Sequence, residues 1–279
     1  MRASALACTD WGRPLLKTAV SSLQFLGTGP GSPVPGKFFS SCVLRHESAI
    51  VLVDAGEPCS QRLAEFGISA ADIDSVLLTH GHSDHTAGLP MLLQSAWLAP
   101  RKKALPIFLP RELINPLEVW LQAVYLPPSL LGFPLQFHSW VLGHEAEAAP
   151  GVEVRPFPTT HLDSLREIID PAAKDRFEIF GLAVSCGGKR VVFSSDLGAP
   201  QDLLPALDKP CAVLVCELSH FEPRDLFAFL DGKEVETLVL NHLAPDLAGK
   251  EREIAEMART AMPAVRRIVV PADGDKIEF

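Results

Sequence analysis

Three histidines and an aspartate fall within six residues in the string Thr79-His80-Gly81-His82-Ser83-Asp84-His85. In an extended chain, side chains at i and i+2 project the same way, so His80 and His82 can reach one ion together. A turn after them would bring Asp84 and His85 to a neighbouring position. Imidazole nitrogens with a carboxylate suit Zn²⁺ and tolerate Mn²⁺ or Fe²⁺. A lone histidine after a strand is ordinarily a surface or core residue. Three of them with an aspartate, directly after the apolar run Val76-Leu77-Leu78, point to metal binding.

Four further groups sit just beyond an apolar run. They are His161 after Pro156-Phe157-Pro158, Asp196 after Val191-Val192-Phe193, Glu217 after Ala212 to Val215, and His242 after Leu238-Val239-Leu240. Loops at the carboxyl ends of strands carry the ligands in layered α/β proteins, so these groups are expected to converge on residues 80–85.

The elements needed to position them are legible as short apolar runs between turn signals. Residues 41–44 and 49–53 bracket the polar Arg45-His46-Glu47 and predict a hairpin, and Cys186-Gly187-Gly188-Lys189 predicts a second between 179–185 and 190–194. Helices are predicted over 60–68, 90–98, 225–230 and 251–261, with short strands at 76–78, 152–154, 212–215 and 238–240. Ile268-Val269-Val270 is read as the strand that ends the chain. Residues 101–150 look less regular, broken by Pro106, Pro110, Pro116 and Pro127-Pro128. Their aromatics (Trp120, Tyr125, Phe133, Phe137 and Trp140, with Trp97 just before) read first as core, with a substrate lid or a homodimer surface as alternatives. His46, His138 and His144 have no partner pattern and read as surface or loop residues. Strands and helices alternating in both halves predict a layered α/β protein. Residues 1–22 read as an N-terminal extension and 23–279 as one domain.

Of 279 residues, 47% are hydrophobic and 21% charged, an ordinary globular composition. The formal charge of −9 disfavours long nucleic acid as a partner. No apolar run reaches the ~18 residues that span a bilayer, and the first 23 residues lack the apolar core of a secretory signal. Ala5-Leu6-Ala7-Cys8 has the residue types of a lipoprotein cleavage site, but the apolar stretch before it is too short. Six cysteines without a C-x-x-C pair, of which Cys42, Cys186 and Cys216 lie in apolar or strand-like runs, fit buried free thiols in a reducing, cytoplasmic compartment.

The string His80-x-His82-x-Asp84-His85, followed by His161, Asp196 and His242, resembles the signature of the metallo-β-lactamase superfamily. The likeness runs from about Leu23 to Phe279. It implies a four-layer αβ/βα sandwich, two mixed β-sheets between helices, with metals at one edge. It also implies that His80, His82 and His161 hold one ion, that Asp84, His85 and His242 hold a second, and that Asp196 bridges them. Within the superfamily the sequence is most similar to ribonuclease Z and to the phosphodiesterase of phosphonate breakdown. Phe25-Leu26-Gly27-Thr28-Gly29-x-Gly31-Ser32-Pro33, Val53-Asp54-Ala55-Gly56-Glu57 and Cys216-Glu217-Leu218-Ser219-His220-Phe221 carry that likeness. Ribonuclease Z usually reads His-Leu-His-Gly-Asp-His at the first string. Its bacterial form carries a long basic arm after the third metal histidine. Residues 162–178 are instead short, with Arg166, Lys174 and Arg176 against Asp163, Glu167, Asp170, Asp175 and Glu178. Such a segment cannot neutralise many phosphates.

The resemblance therefore implies a phosphodiesterase for a small or short substrate, with two divalent ions, Zn or Mn and with Fe as an alternative. Ions about 3.5–4 Å apart can clamp a phosphoryl group and share a hydroxide, because metal binding lowers the pKa of water to around 7. Asp84 would orient or deprotonate that water. His220 and Glu217 would supply a proton to the leaving oxygen, or else act structurally, Glu217 by bonding a ligand imidazole. A lactone, thioester or β-lactam hydrolase and a tRNA 3′-processing enzyme without the arm are the alternatives on this scaffold. A di-iron redox protein and a non-catalytic binding protein are the alternatives of another class. Intact His82 and the absence of a flavin-domain length oppose the first of these, and the full ligand set opposes the second.

Overall fold

The computed structural model describes residues 20–172 and 176–279. The reading of an N-terminal extension, Cys8 included, thus lies outside the described residues up to position 19, while Ser22 already opens the first strand. Lys174 and Asp175 also lie outside them.

One sheet contains β1 (Ser22–Gly27), β2 (Ser41–His46), β3 (Ala49–Val53), β4 (Ser75–Leu77), β5 (Leu105–Leu109) and β6 (Leu135–Ser139). The other contains β7 (Ala146–Ala149), β8 (Val152–Pro158), β9 (Phe180–Cys186), β10 (Lys189–Phe193), β11 (Cys211–Leu218), β12 (Val235–Leu243) and β13 (Arg267–Val269). The chain does not end at β13. A last strand, β14 (Lys276–Glu278), returns to the first sheet and pairs antiparallel with β1. Each sheet has seven strands, in the orders β14-β1-β2-β3-β4-β5-β6 and β13-β12-β11-β10-β9-β8-β7. Both are mixed. β3 to β6 run parallel, as do β10 to β13, and antiparallel hairpins complete each sheet.

The helices are α1 (Cys59–Glu65), α2 (Ser83–Thr86), α3 (Leu89–Leu98), α4 (Ile114–Ala123), α5 (Asp163–Ile169), α6 (Pro223–Leu230) and α7 (Glu251–Ala261). Three apolar clusters separate four layers. Leu63, Leu92 and Leu121 pack α1, α3 and α4 on the outer face of the first sheet. Phe25, Leu44, Val184 and Val213 meet between the two sheets. Leu226, Phe227, Ile254 and Ala258 pack α6 and α7 on the second sheet. Because a strand alternates its side chains, β11 sends Val213 and Val215 to the central cluster and Leu214 and Cys216 to the outer one. Burial on both faces is why these strands appear in the sequence as unbroken apolar runs.

Residues 101–150 are more regular than their prolines suggest. Pro116 occupies the first turn of α4, where a missing N–H costs nothing, and Pro106 lies within β5. The aromatics there divide: Phe133 and Trp140 are buried, while Tyr125 is 85% exposed. His46 is a correction. It is buried, with Nδ1 2.9 Å from the Ser21 hydroxyl.

Candidate metal centre

Every group singled out beyond an apolar run emerges at one edge of the sandwich. Asp54 follows β3, His80 and His82 follow β4, and His161 follows β8. Asp196 follows β10, while Glu217 and His242 are the last residues but one of β11 and β12. After His82 the chain turns into α2, which carries Asp84 and His85.

His242 is aimed by a bulge. Glu217 pairs with Asn241 and Leu218 with Leu243, so His242 is an extra residue in β12, and its φ of 51° lies in the left-handed region. Asp54 and Ser195, both with φ of 56°, share that conformation. Left-handed backbone at non-glycine residues gathers where a site over-determines it.

Two donor groups result, His80, His82, His161 and Asp196 in one and Asp84, His85, Asp196 and His242 in the other, with the ligand atoms of each within 4.8 Å of one another. The Asp196 carboxylate divides between them. Its Oδ2 lies 3.7 Å from His80 Nε2 and 3.8 Å from His161 Nε2, and its Oδ1 lies 3.4 Å from His85 Nε2 and 3.6 Å from His242 Nε2. Asp84 Oδ2 lies 3.3 Å from His85 Nε2 and 3.8 Å from His242 Nε2. The His82 ring is 4.7 Å from that of His80 and 5.3 Å from that of His161.

These groups fit metal ions. Donors at about 2.0–2.1 Å from a tetrahedral ion stand about 3.3–3.4 Å apart, close to the spacings found. Among the described residues, buried His80 Nε2, His85 Nε2 and Asp196 Oδ1 have no hydrogen-bond partner, an arrangement that costs about 1–3 kcal/mol per group unless something else satisfies it. Their opposite atoms are held from behind. His85 Nδ1 bonds Asp54 Oδ2 at 2.7 Å, His242 Nδ1 bonds the Ser40 hydroxyl at 2.8 Å, and His80 Nδ1 bonds the Thr79 hydroxyl at 3.1 Å. Such partners fix each ring so that Nε2 faces the centre. Asp54 in turn accepts from the Thr79 amide and hydroxyl. Asp202 ties two ligand loops together, accepting from the Thr160 and Gly198 amides.

Electrostatics separate the two groups. Burial keeps His80 well below the usual imidazole range, helped by the charge of His85, and burial also lowers His82. Burial lowers His161 to about 4 against the opposing charge of Asp196. These shifts favour the neutral rings, whose lone pairs can bind a cation. Burial opposes charge on His85 too, but Asp196 and Asp54 outweigh it and raise this ring well above its ordinary value. Asp84 falls to about 2 and Asp196 well below the carboxylate range, since neighbouring imidazoles overcome the cost of burial. The second group thus favours a positive charge at its centre.

Glu217 and His220 form a separate pair. Glu217 is buried, with Oε1 accepting from Leu197 N at 2.8 Å and Oε2 from Ser219 N at 2.6 Å. Its imidazole partner is not one of the seven residues of the two donor groups but His220, whose Nδ1 is 2.8 Å from Oε1. Burial opposes charge on His220, and the Glu217 hydrogen bond overcomes it and raises the ring. The His220 ring lies 4.1 Å from that of His161. Both flank a cavity of about 310 Å³ that Asp84, His82 and His242 also line, with Pro30, Gly31, Ser32 and Pro245 as its outer wall. His138 stacks on Phe108, 5.0 Å between centroids, and His144 is exposed, so neither belongs to the site.

Ser40, Thr79 and Asp202 were not legible as site residues. Each has a partner far along the chain, Ser40 in His242, Thr79 in Asp54 and Asp202 in Thr160, and no local spacing marks those pairings.

The beta-lactamase superfamily domain model matches residues 50–267. The chain is similar to the ribonuclease Z of Mycobacterium bovis (strain BCG / Pasteur 1173P2), 28% identical over 92% of this chain and 97% of that protein. Among solved structures, the metallo-beta-lactamase fold protein YhfI from Bacillus subtilis superposes with a TM-score of 0.75 and 17% identity, covering 93% of this chain and all of that one. A diphosphatase of the PhnP family superposes with a TM-score of 0.69 and 18% identity, over 93% and 98% of the two chains. With its paired seven-stranded sheets, helices on both outer faces and a His/Asp cluster at one edge, the chain belongs to the beta-lactamase superfamily and has the metallo-β-lactamase fold.

Proposed function

We propose that the protein is a dinuclear metal-dependent phosphodiesterase acting on a small or short diester. The observation that carries this reading is the divided Asp196 carboxylate, one oxygen facing each donor group. His80, His82 and His161 would hold one ion, Asp84, His85 and His242 the other, and Asp196 both. Divalent ions so held supply Lewis acidity toward a phosphoryl oxygen and lower the pKa of water to about 7.

The chain's own groups do the remaining work. Asp84 turns Oδ2 toward His85 and His242, which leaves Oδ1 to accept a proton from the attacking water. Glu217 holds the Nδ1 proton of His220, so Nε2 is the atom that delivers a proton to the leaving oxygen. Glu217 itself is a positioning residue, since its oxygens already serve Leu197, Ser219 and His220. A diester carries one negative charge at the scissile group. Among the described residues no lysine or arginine lines the cavity, which suits that single charge better than a polyanion. The ribonuclease Z likeness makes RNA the second substrate to test.

The protein loaded with Zn²⁺ or Mn²⁺ is expected to bind about two ions per chain and to hydrolyse bis(p-nitrophenyl) phosphate. Full turnover by metal-stripped protein, or by His82→Ala, would end this reading. A higher kcat/KM on a 3′-extended RNA than on the small diester would replace the substrate class.

A further inference from the structure

The loop between β1 and β2 folds back on itself and is tied down by one residue 235 or more positions away. Asp273 Oδ1 accepts from the Thr28 amide at 2.8 Å and the Thr28 hydroxyl at 2.6 Å, while Oδ2 accepts from the Phe38 amide at 2.6 Å. Both limbs of the loop are therefore gripped by a single carboxylate. Two glycines let the limbs close. A Cβ on Gly29 would stand 2.9 Å from the Phe38 carbonyl, and one on Gly27 only 1.9 Å from that of Phe39. The grip reaches the metal centre as well, because the Thr28 carbonyl accepts from the His242 amide at 3.2 Å.

Beyond this grip stands the tip, Pro30-Gly31-Ser32, which walls the same cavity as Asp84, His161 and His220. A Cβ on Gly31 would lie 3.4 Å from Asp84 Oδ2, so glycine keeps the entrance open beside that carboxylate. Among the described residues the Gly31 and Ser32 amides have no acceptor, and these two residues are exposed while Pro30 is buried. Consecutive free amides attract anionic oxygens, and glycine allows the close approach they require.

We propose that the Gly31–Ser32 tip is a subsite for a non-bridging phosphoryl oxygen of the substrate, and that Asp273 is the positioning residue that holds it in place. The inference rests on the phosphodiesterase reading. The carboxylate is needed rather than an amide, because two backbone N–H groups on separate limbs each require an acceptor. Asparagine offers one oxygen and would turn its NH₂ toward the other N–H.

The test compares wild type and Asp273→Asn, both metal-loaded, on bis(p-nitrophenyl) phosphate. Loss of an anion contact made equally in ground and transition states raises KM and spares kcat. Asp273→Asn is expected to raise KM about tenfold with kcat within about threefold. Metal content should match wild type, and trypsin should cut after Lys37 faster in Asp273→Asn, a readout independent of turnover. If Asp273→Asn does not fold, Thr28→Val, which removes one of the gripped donors, takes its place with the same expected rise in KM. Wild-type turnover with KM unchanged in the folded variants overturns the subsite alone. No turnover by wild type overturns the phosphodiesterase reading on which it stands.

Discussion

Replacing Asp54 by asparagine should weaken one metal position and spare the other. Asp54 is buried and left-handed, a conformation asparagine adopts readily, so the substitution isolates the charge. Its oxygens serve the Thr79 amide at 2.9 Å and His85 Nδ1 at 2.7 Å. Asparagine can keep its oxygen on the Thr79 amide only by pointing its NH₂ at His85 Nδ1. That ring must then carry its proton on Nε2, the atom that would bind the ion. A charge-assisted hydrogen bond contributes about 1.5–3 kcal/mol, which corresponds to about a 10- to 100-fold loss of affinity, the range typical for partners behind a metal ligand. Titration of Zn²⁺ against a chromophoric chelator resolves the two binding steps. One step should weaken by that factor. The step belonging to His80, His82 and His161 should change less than about threefold, because His80 is bonded through Thr79 rather than through Asp54 directly. Equal weakening of both steps, or of neither, would refute the reasoning.

Glu217→Gln should lower kcat with two ions still bound, and it should move the alkaline limb of the pH–rate profile to lower pH. Glu217 raises the pKa of His220, and a proton donor loses activity as pH rises through its pKa, so removing the carboxylate brings that loss on earlier. An unmoved alkaline limb in a folded variant would remove His220 as the donor. The thiols of Cys42, Cys59, Cys186, Cys211 and Cys216 are all buried, and burial pushes Cys59 up to about 12 and Cys211 to about 11. These five should react with a disulfide reagent at neutral pH only after denaturation, and rapid labelling of any of them in folded protein would contradict the burial described.

Much of this site could be read from the sequence, for a definite reason. Strands buried on both faces appear as compact apolar runs, and each run marks where the next polar residue will emerge. Val191-Val192-Phe193 announces Asp196 in this way, and Leu238-Val239-Leu240 announces His242. What stayed hidden depends on distant pairing. Ser40 bonds His242 across 202 positions and Asp273 bonds Thr28 across 245, and nothing local distinguishes them from other loop residues. β14 was missed because an edge strand of three residues, exposed-buried-exposed, lacks the apolar density of the inner strands. His46 was misread because its burial comes from Ser21 and from the close approach of Gly187, 2.8 Å from a ring carbon if it bore a Cβ.

The return of the last strand to the first sheet bears on how the protein is made. β1 is synthesised long before Lys276 to Glu278, the residues that cover its outer edge. Until then a nascent chain presents the amides and carbonyls of β1 to whatever strand is near, a setting that favours misassociation. The same closing segment carries Asp273, so the cleft wall acquires its anchor in the step that seals the sheet.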